Sequence, residues 1–73
     1  MNNERRKEIA KAITSIEGVI QDILSDEEEA YDNMPESLQG SERGIASEEA
    51  QDSLSAAIDA LEEAVMCLEE ASY

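Results

Sequence analysis

One stretch limits what this chain can fold into. Asp32-Asn33-Met34-Pro35-Glu36-Ser37-Leu38-Gln39-Gly40-Ser41-Glu42-Arg43-Gly44 holds the only proline and two of the three glycines. On either side the apolar residues recur with the period of an α-helix. Before it, Ile9, Ile13, Ile16, Ile20 and Ile23 are spaced by four, three, four and three. After it, Leu54, Ile58, Leu61, Val65 and Leu68 repeat the same spacing. Each set predicts one seam of a coiled helix pair, with Ile13 and Ile20 at a and Ile9, Ile16 and Ile23 at d. The chain reads as helix, bend, helix.

The boundaries follow from caps and breakers. Asn2 or Asn3 can cap the first helix, with Glu4 in its first turn. That helix is predicted over about 3–31, because Met34 precedes proline and is biased away from the helical region. The connector is predicted over 32–41. Pro35 suits the first position of a short helical turn, Leu38 is its expected inward anchor, and Gly40 can close it in the left-handed region. Ser41 can cap the second helix, predicted over about 42–71, although Ser47-Glu48-Glu49 offers a later start. The seam of the first helix is expected to weaken at Glu27 and resume at Ala30. Gly18 is a soft spot.

A short connector makes the two helices antiparallel neighbours. Seventy-three residues form one small domain that buries only about 60% of its unfolded surface, so a lone hairpin is marginal. Cys67 is the only cysteine, which excludes an internal disulfide, and there is no histidine for a Cys/His metal site. Self-association is the remaining device. The expected architecture is all-α: an antiparallel helical hairpin assembling as a homodimeric four-helix bundle or a higher closed oligomer. Its expected oligomer core is the two seams. A stripe of Ala50, Ala57, Ala64 and Ala71 beside the second seam allows close helix approach.

Charge narrows the function classes. Nineteen acids against five bases give a net charge of −14. Arg5, Arg6, Lys7 and Lys11 lie in the first eleven residues; thereafter Arg43 faces seventeen acids alone. Such a surface repels nucleic acid and anionic lipid and attracts basic protein surfaces. The hairpin sets the four early bases near Glu62, Glu63, Glu69 and Glu70, where cross-helix pairs fix orientation more than stability. No apolar run approaches the ~20 residues of a membrane span. No apolar region follows the basic N-terminal residues, so no signal peptide is expected. With one unpaired cysteine, this predicts a cytoplasmic location.

No catalytic residue, cofactor or metal is expected. The run Asp26-Glu27-Glu28-Glu29 lacks the alternation and central glycine of a calcium loop, and consecutive helical carboxylates diverge. Nothing sets carboxylate pKa values apart for acid/base work. Cys67 sits among acids, which oppose thiolate formation. The candidate interaction residues are Asp26, Glu27, Glu28, Glu29, Glu48, Glu49, Asp52 and Asp59. A second candidate set lies at the connector: Tyr31, Ser37, Ser41 and Arg43, beside helix N-termini that offer free N–H groups to an anion.

The run Asp32-Asn33-Met34-Pro35-Glu36-Ser37-Leu38-Gln39, the following Ser41-Glu42-Arg43-Gly44 and the later Leu61-Glu62-Glu63-Ala64 resemble a family of small acidic proteins of bacteriophages and prophages. There, two acidic helices flank a Pro-Glu-Ser-Leu-Gln corner. The resemblance implies a phage accessory protein acting in the host cytoplasm. It carries over no activity and no functional residue. Three functions are therefore expected to compete. The first is non-enzymatic binding and inhibition of a host factor, a defence protein included, through an acidic, DNA-mimic-like helical surface. DNA itself carries one negative charge per ~1.7 Å of duplex. The second is an oligomer sequestering a small nucleotide immune signal at the connector. The third is a structural bundle with no ligand.

Overall fold

The computed structural model describes residues 2–71; Tyr73, the second aromatic residue, lies outside them. Three helices follow in order: α1 (Asn3–Asp32), α2 (Glu36–Gln39) and α3 (Glu42–Glu70). Among the described residues there is no strand. Asn2 caps α1: its Oδ1 accepts from the backbone N–H of Glu4 at 2.8 Å and of Arg5 at 3.4 Å. Two N–H groups that no helical carbonyl can reach are thereby satisfied. Glu4 adds a negative charge at the positive end of the helix.

The corner departs from expectation at three positions. Pro35 stands one residue ahead of α2, with φ −57° and ψ 146°, instead of forming its first residue. From there its carbonyl accepts from the N–H groups of Leu38 (2.8 Å) and Gln39 (3.2 Å). Gly40 is not left-handed: it has φ −87° and ψ 0°. Those angles suit the third residue of a type I turn, which the N–H of Ser41 closes onto the Leu38 carbonyl at 3.1 Å. A turn of that type needs no positive φ. Leu38 is not the anchor, since it stays 39% exposed. Gln39 turns inward instead, and its side-chain Nε2 donates to the carbonyls of Tyr31 and Met34, each at 3.2 Å. The residue four on from Tyr31 is Pro35, which has no N–H; the Tyr31 carbonyl accepts instead from the Met34 N–H at 3.0 Å, and the amide adds a second donor there and one at Met34.

α3 starts at Glu42 with Ser41 at its N-cap, not at Ser47. The Ser41 hydroxyl does not cap; it donates back to the Leu38 carbonyl. Gly44 is buried because the first turn of α3 crosses directly over the end of α2. A Cβ at Gly44 would lie 2.0 Å from the Gln39 carbonyl oxygen and 2.4 Å from its carbon. Only glycine lets the two backbones approach this closely.

α1 and α3 then run antiparallel, with the end of α1 beside the start of α3. The seam of α3 is the expected one: Leu54, Ile58, Leu61, Val65 and Leu68 are all half-buried, and Ala50, Ala57 and Ala64 flank them half-buried. α1 is rotated relative to expectation. The residues turned toward α3 are Arg6, Ala10, Ile13, Glu17, Ile20, Leu24, Glu27 and Tyr31, again alternating by four and three. Ile13 and Ile20 belong to both sets. Ile9, Ile16 and Ile23 do not face α3 and remain 41%, 49% and 49% exposed. Leu24 takes the place expected for Ile23, and Tyr31 the place expected for Ala30. Both stripes keep the coiled-helix period, and the polar partners at the corner select between them, as described below.

The hydrophobic core of the hairpin is correspondingly small. Among the described residues only Ile13 and Leu24 are buried hydrophobic side chains. The molecule measures 55 × 16 × 11 Å, a two-helix slab without a second layer. Stable domains pack at least two layers about a core.

Candidate functional site

Near the corner the helix–helix seam turns polar. Ser47 is the one buried polar residue among those described, at 4% exposure. Its hydroxyl donates to Glu27 Oε1 at 2.7 Å and accepts from Gln51 Nε2 at 3.4 Å. One turn further on, the Tyr31 hydroxyl donates to Glu48 Oε1 at 2.6 Å. Glu27 therefore does not interrupt the seam; it is part of it, paired across to α3. No buried side-chain polar atom among the described residues lacks a partner. A satisfied polar layer fixes helix register, because any slip leaves its groups unpaired. Sequence reading missed this layer. Its signal was the complementary pairing of a seam acid, Glu27, with small or amide-bearing residues, Ser47 and Gln51, in the facing seam.

This arrangement is poor chemistry for catalysis. A serine hydroxyl on a carboxylate could pass for a nucleophile and its base. Ser47, however, is closed to any substrate and spends its proton on Glu27. The Tyr31 hydroxyl has its pKa raised above 10.0, chiefly because it donates to Glu48, with burial and the negative charges of Glu48 and Asp32 acting the same way. A raised pKa keeps the phenol protonated and in its bond at neutral pH.

The candidate connector residues are dispersed by these bonds. Tyr31 is engaged with Glu48, and the Ser41 hydroxyl with Leu38. Ser37 and Arg43 are exposed. Among the described residues no hydrogen bond joins any of the four to another.

The acidic candidates are brought together by the antiparallel pairing. Asp26, Glu28 and Glu29 near the end of α1 and Glu49 and Asp52 near the start of α3 are exposed at the corner half of the slab, with Glu48 beside Tyr31. Asp59 is exposed further along α3. Glu27 differs from the rest, half-buried on Ser47. Residues 22–52 carry eleven acids and one base, Arg43, a local charge of −10. Among the described residues, no three acidic or thiol side chains converge to hold a metal ion.

At the open end, Arg6, Lys7, Ala10, Val65, Leu68 and Glu69 line a cleft of about 190 Å³. Of the four early bases, Arg6 and Lys7 thus lie beside Glu69 near the end of α3, as expected. Cys67 is free and exposed. No described helix is long and apolar enough to cross a membrane. No protein-family model matches this chain, and no curated protein or solved structure does either.

Proposed function

We propose that the chain is a non-enzymatic binding protein that assembles as a homodimeric four-helix bundle, or a higher closed oligomer, and docks its acidic corner on a basic protein surface. The observation that supports this reading is the gathering of exposed carboxylates from two helices at one end of the slab, with four of the five bases at the other. Clustered like charge on a fixed scaffold speeds encounter with a complementary surface and makes it salt-dependent. The resemblance of the corner to phage proteins supports reading the partner as a host factor met in the host cytoplasm, a defence protein included. Association supplies the second layer that a core of two buried hydrophobics lacks.

Capture from host lysate at two salt concentrations tests the binding. The comparison is a variant with Glu28→Gln, Glu29→Gln, Glu49→Gln and Asp52→Asn. All four positions are exposed, so the hairpin should fold unchanged. The expected result is a partner retained at low salt and lost both at high salt and with the variant. A partner held equally under all three conditions, or none at all, refutes the reading.

A further inference from the structure

We propose that Ile9, Ala12, Ile16, Val19 and Ile23 form the surface on which a second copy of this chain docks, with the two α1 helices antiparallel about a twofold axis at Ile16. This rests on the self-association proposed above and specifies its geometry.

The stripe is exposed, with Val19 at 59% and Ile9, Ile16 and Ile23 between 41% and 49%. It lies one residue behind the seam that faces α3. One residue is about 100° of helix rotation, so α1 bears two apolar stripes roughly at a right angle. A helix in a four-helix bundle touches two neighbours and needs two such stripes. α3 supplies one neighbour, and the exposed stripe is turned away from it.

The adjoining surface of α3 suits the same contact. Lys7 and Glu69 share a cleft along one edge of the helix pair. In an antiparallel pair the residues just before the seam positions lie along the other edge. On α1 these are Ile9, Ile16 and Ile23; on α3 they are Ala50, Ala57 and Ala64. Next outward on α3 come Ala46, Ser53, Ala60 and Cys67, all exposed and uncharged. The nine acids of α3 all fall at other positions. One broad face of the slab is therefore apolar between Arg5 and Asp26 at its ends, and the other acids lie off it.

The apolar stripe can meet its own copy in either direction, and the charges at its ends, Arg5 and Asp26, favour the reversed one. Set antiparallel, Ile9 meets Ile23 of the second copy, Ala12 meets Val19, and Ile16 meets Ile16. The same spacing places Arg5 at one end against Asp26 at the other. A parallel pairing would set Arg5 on Arg5 and Asp26 on Asp26. Opposite charges at the rim fix orientation, and like charges there exclude the alternative. A footprint of roughly 800 Å² per partner takes in most of the 55 × 16 Å face, so the small residues of α3 beside the stripe belong to it as well.

Sedimentation of the wild-type chain and disulfide trapping in a Cys67→Ser background test the geometry. The expected mass is twice 8.0 kDa. Chains carrying Ile9→Cys should cross-link with chains carrying Ile23→Cys, and neither should cross-link when alone. Ile16→Glu puts two carboxylates on the twofold axis and should raise the dimer Kd by about 100-fold or more. Because association stabilises a hairpin with so small a core, circular dichroism should show Ile16→Glu melting at a lower temperature as the dimer is lost, and the cysteine pairs test the geometry without that substitution. A monomeric wild type overturns both this inference and the self-association beneath it. A dimer in which Ile9→Cys chains cross-link with one another, or one that Ile16→Glu leaves intact, overturns this geometry alone.

Discussion

Gly44 and Gly18 make a matched pair of substitutions with opposite expected signs. Both are helical glycines, and alanine at either gains about 0.8–1.0 kcal/mol of helix propensity. At Gly18 nothing lies within 4 Å of the added methyl, so the gain stands alone. At Gly44 the methyl would meet Gln39 backbone atoms at 2.0, 2.4 and 2.7 Å. Side chains could yield at such distances; backbone cannot without moving α2 away from α3. Overpacking of this kind costs typically about 1–3 kcal/mol, and a rigid backbone neighbour places it at the upper end. Subtracting the propensity gain leaves Gly44→Ala destabilised by about 1–2 kcal/mol. For a domain of this size that lowers Tm by roughly 5–15 °C, whereas Gly18→Ala raises it by roughly 4–8 °C. Thermal and urea unfolding followed by circular dichroism, at one fixed protein concentration, measures both. If Gly44→Ala melts at or above the wild-type temperature, the close crossing of α2 and α3 is not the packing of this protein.

Three further outcomes follow from the corner and the charge. Ser47→Ala removes the donor to Glu27, whose carboxylate is open enough to rehydrate partly, so urea unfolding should show a loss of about 1 kcal/mol. In a Tyr73→Phe background, spectrophotometric titration should find Tyr31 ionising above pH 10.0, and Glu48→Gln should bring its midpoint down. The folded pKa lies above the unfolded one. The Tyr31–Glu48 contribution is therefore present at neutral pH and is lost as pH rises past 10.0 through the folded value. At a net charge of −14 the chain repels itself, so salt that shortens the screening length from roughly 30 Å at 0.01 M to roughly 3 Å at 1 M should raise Tm. A Tm that falls with salt would mean that attractive ion pairs outweigh the repulsion.

The second seam could be read directly from the sequence, because only one stripe of that segment carries large apolar residues. The first could not. Ile9, Ile16 and Ile23 and the true partners Ala10, Glu17 and Leu24 sit one residue apart in the same period, and periodicity cannot rank them. The choice is made by Ser47, Gln51 and Glu48, which capture Glu27 and Tyr31 from across the pair. Such a constraint is long-range and invisible to a local window. At the corner, Gly40 looked like the special glycine and has an ordinary conformation. Gly44 lay between the two possible starts of the second helix, at Ser41 and at Ser47, and is the contact that only glycine permits. The clustering of acids at one end was legible once the helices were taken as antiparallel. The engagement of Tyr31 and Ser41 by neighbours was not, since both bonds depend on the detailed path of the turn.

Gln39 has a consequence for how the chain can go wrong. Its amide holds two carbonyls at the end of α1 while its backbone lies under Gly44 of α3, so one residue clasps both arms. Helical hairpins with loose elbows can straighten into a single rod and exchange halves with another molecule. Here straightening must first undo that clasp, which keeps each polypeptide folded on itself rather than entangled with its sibling.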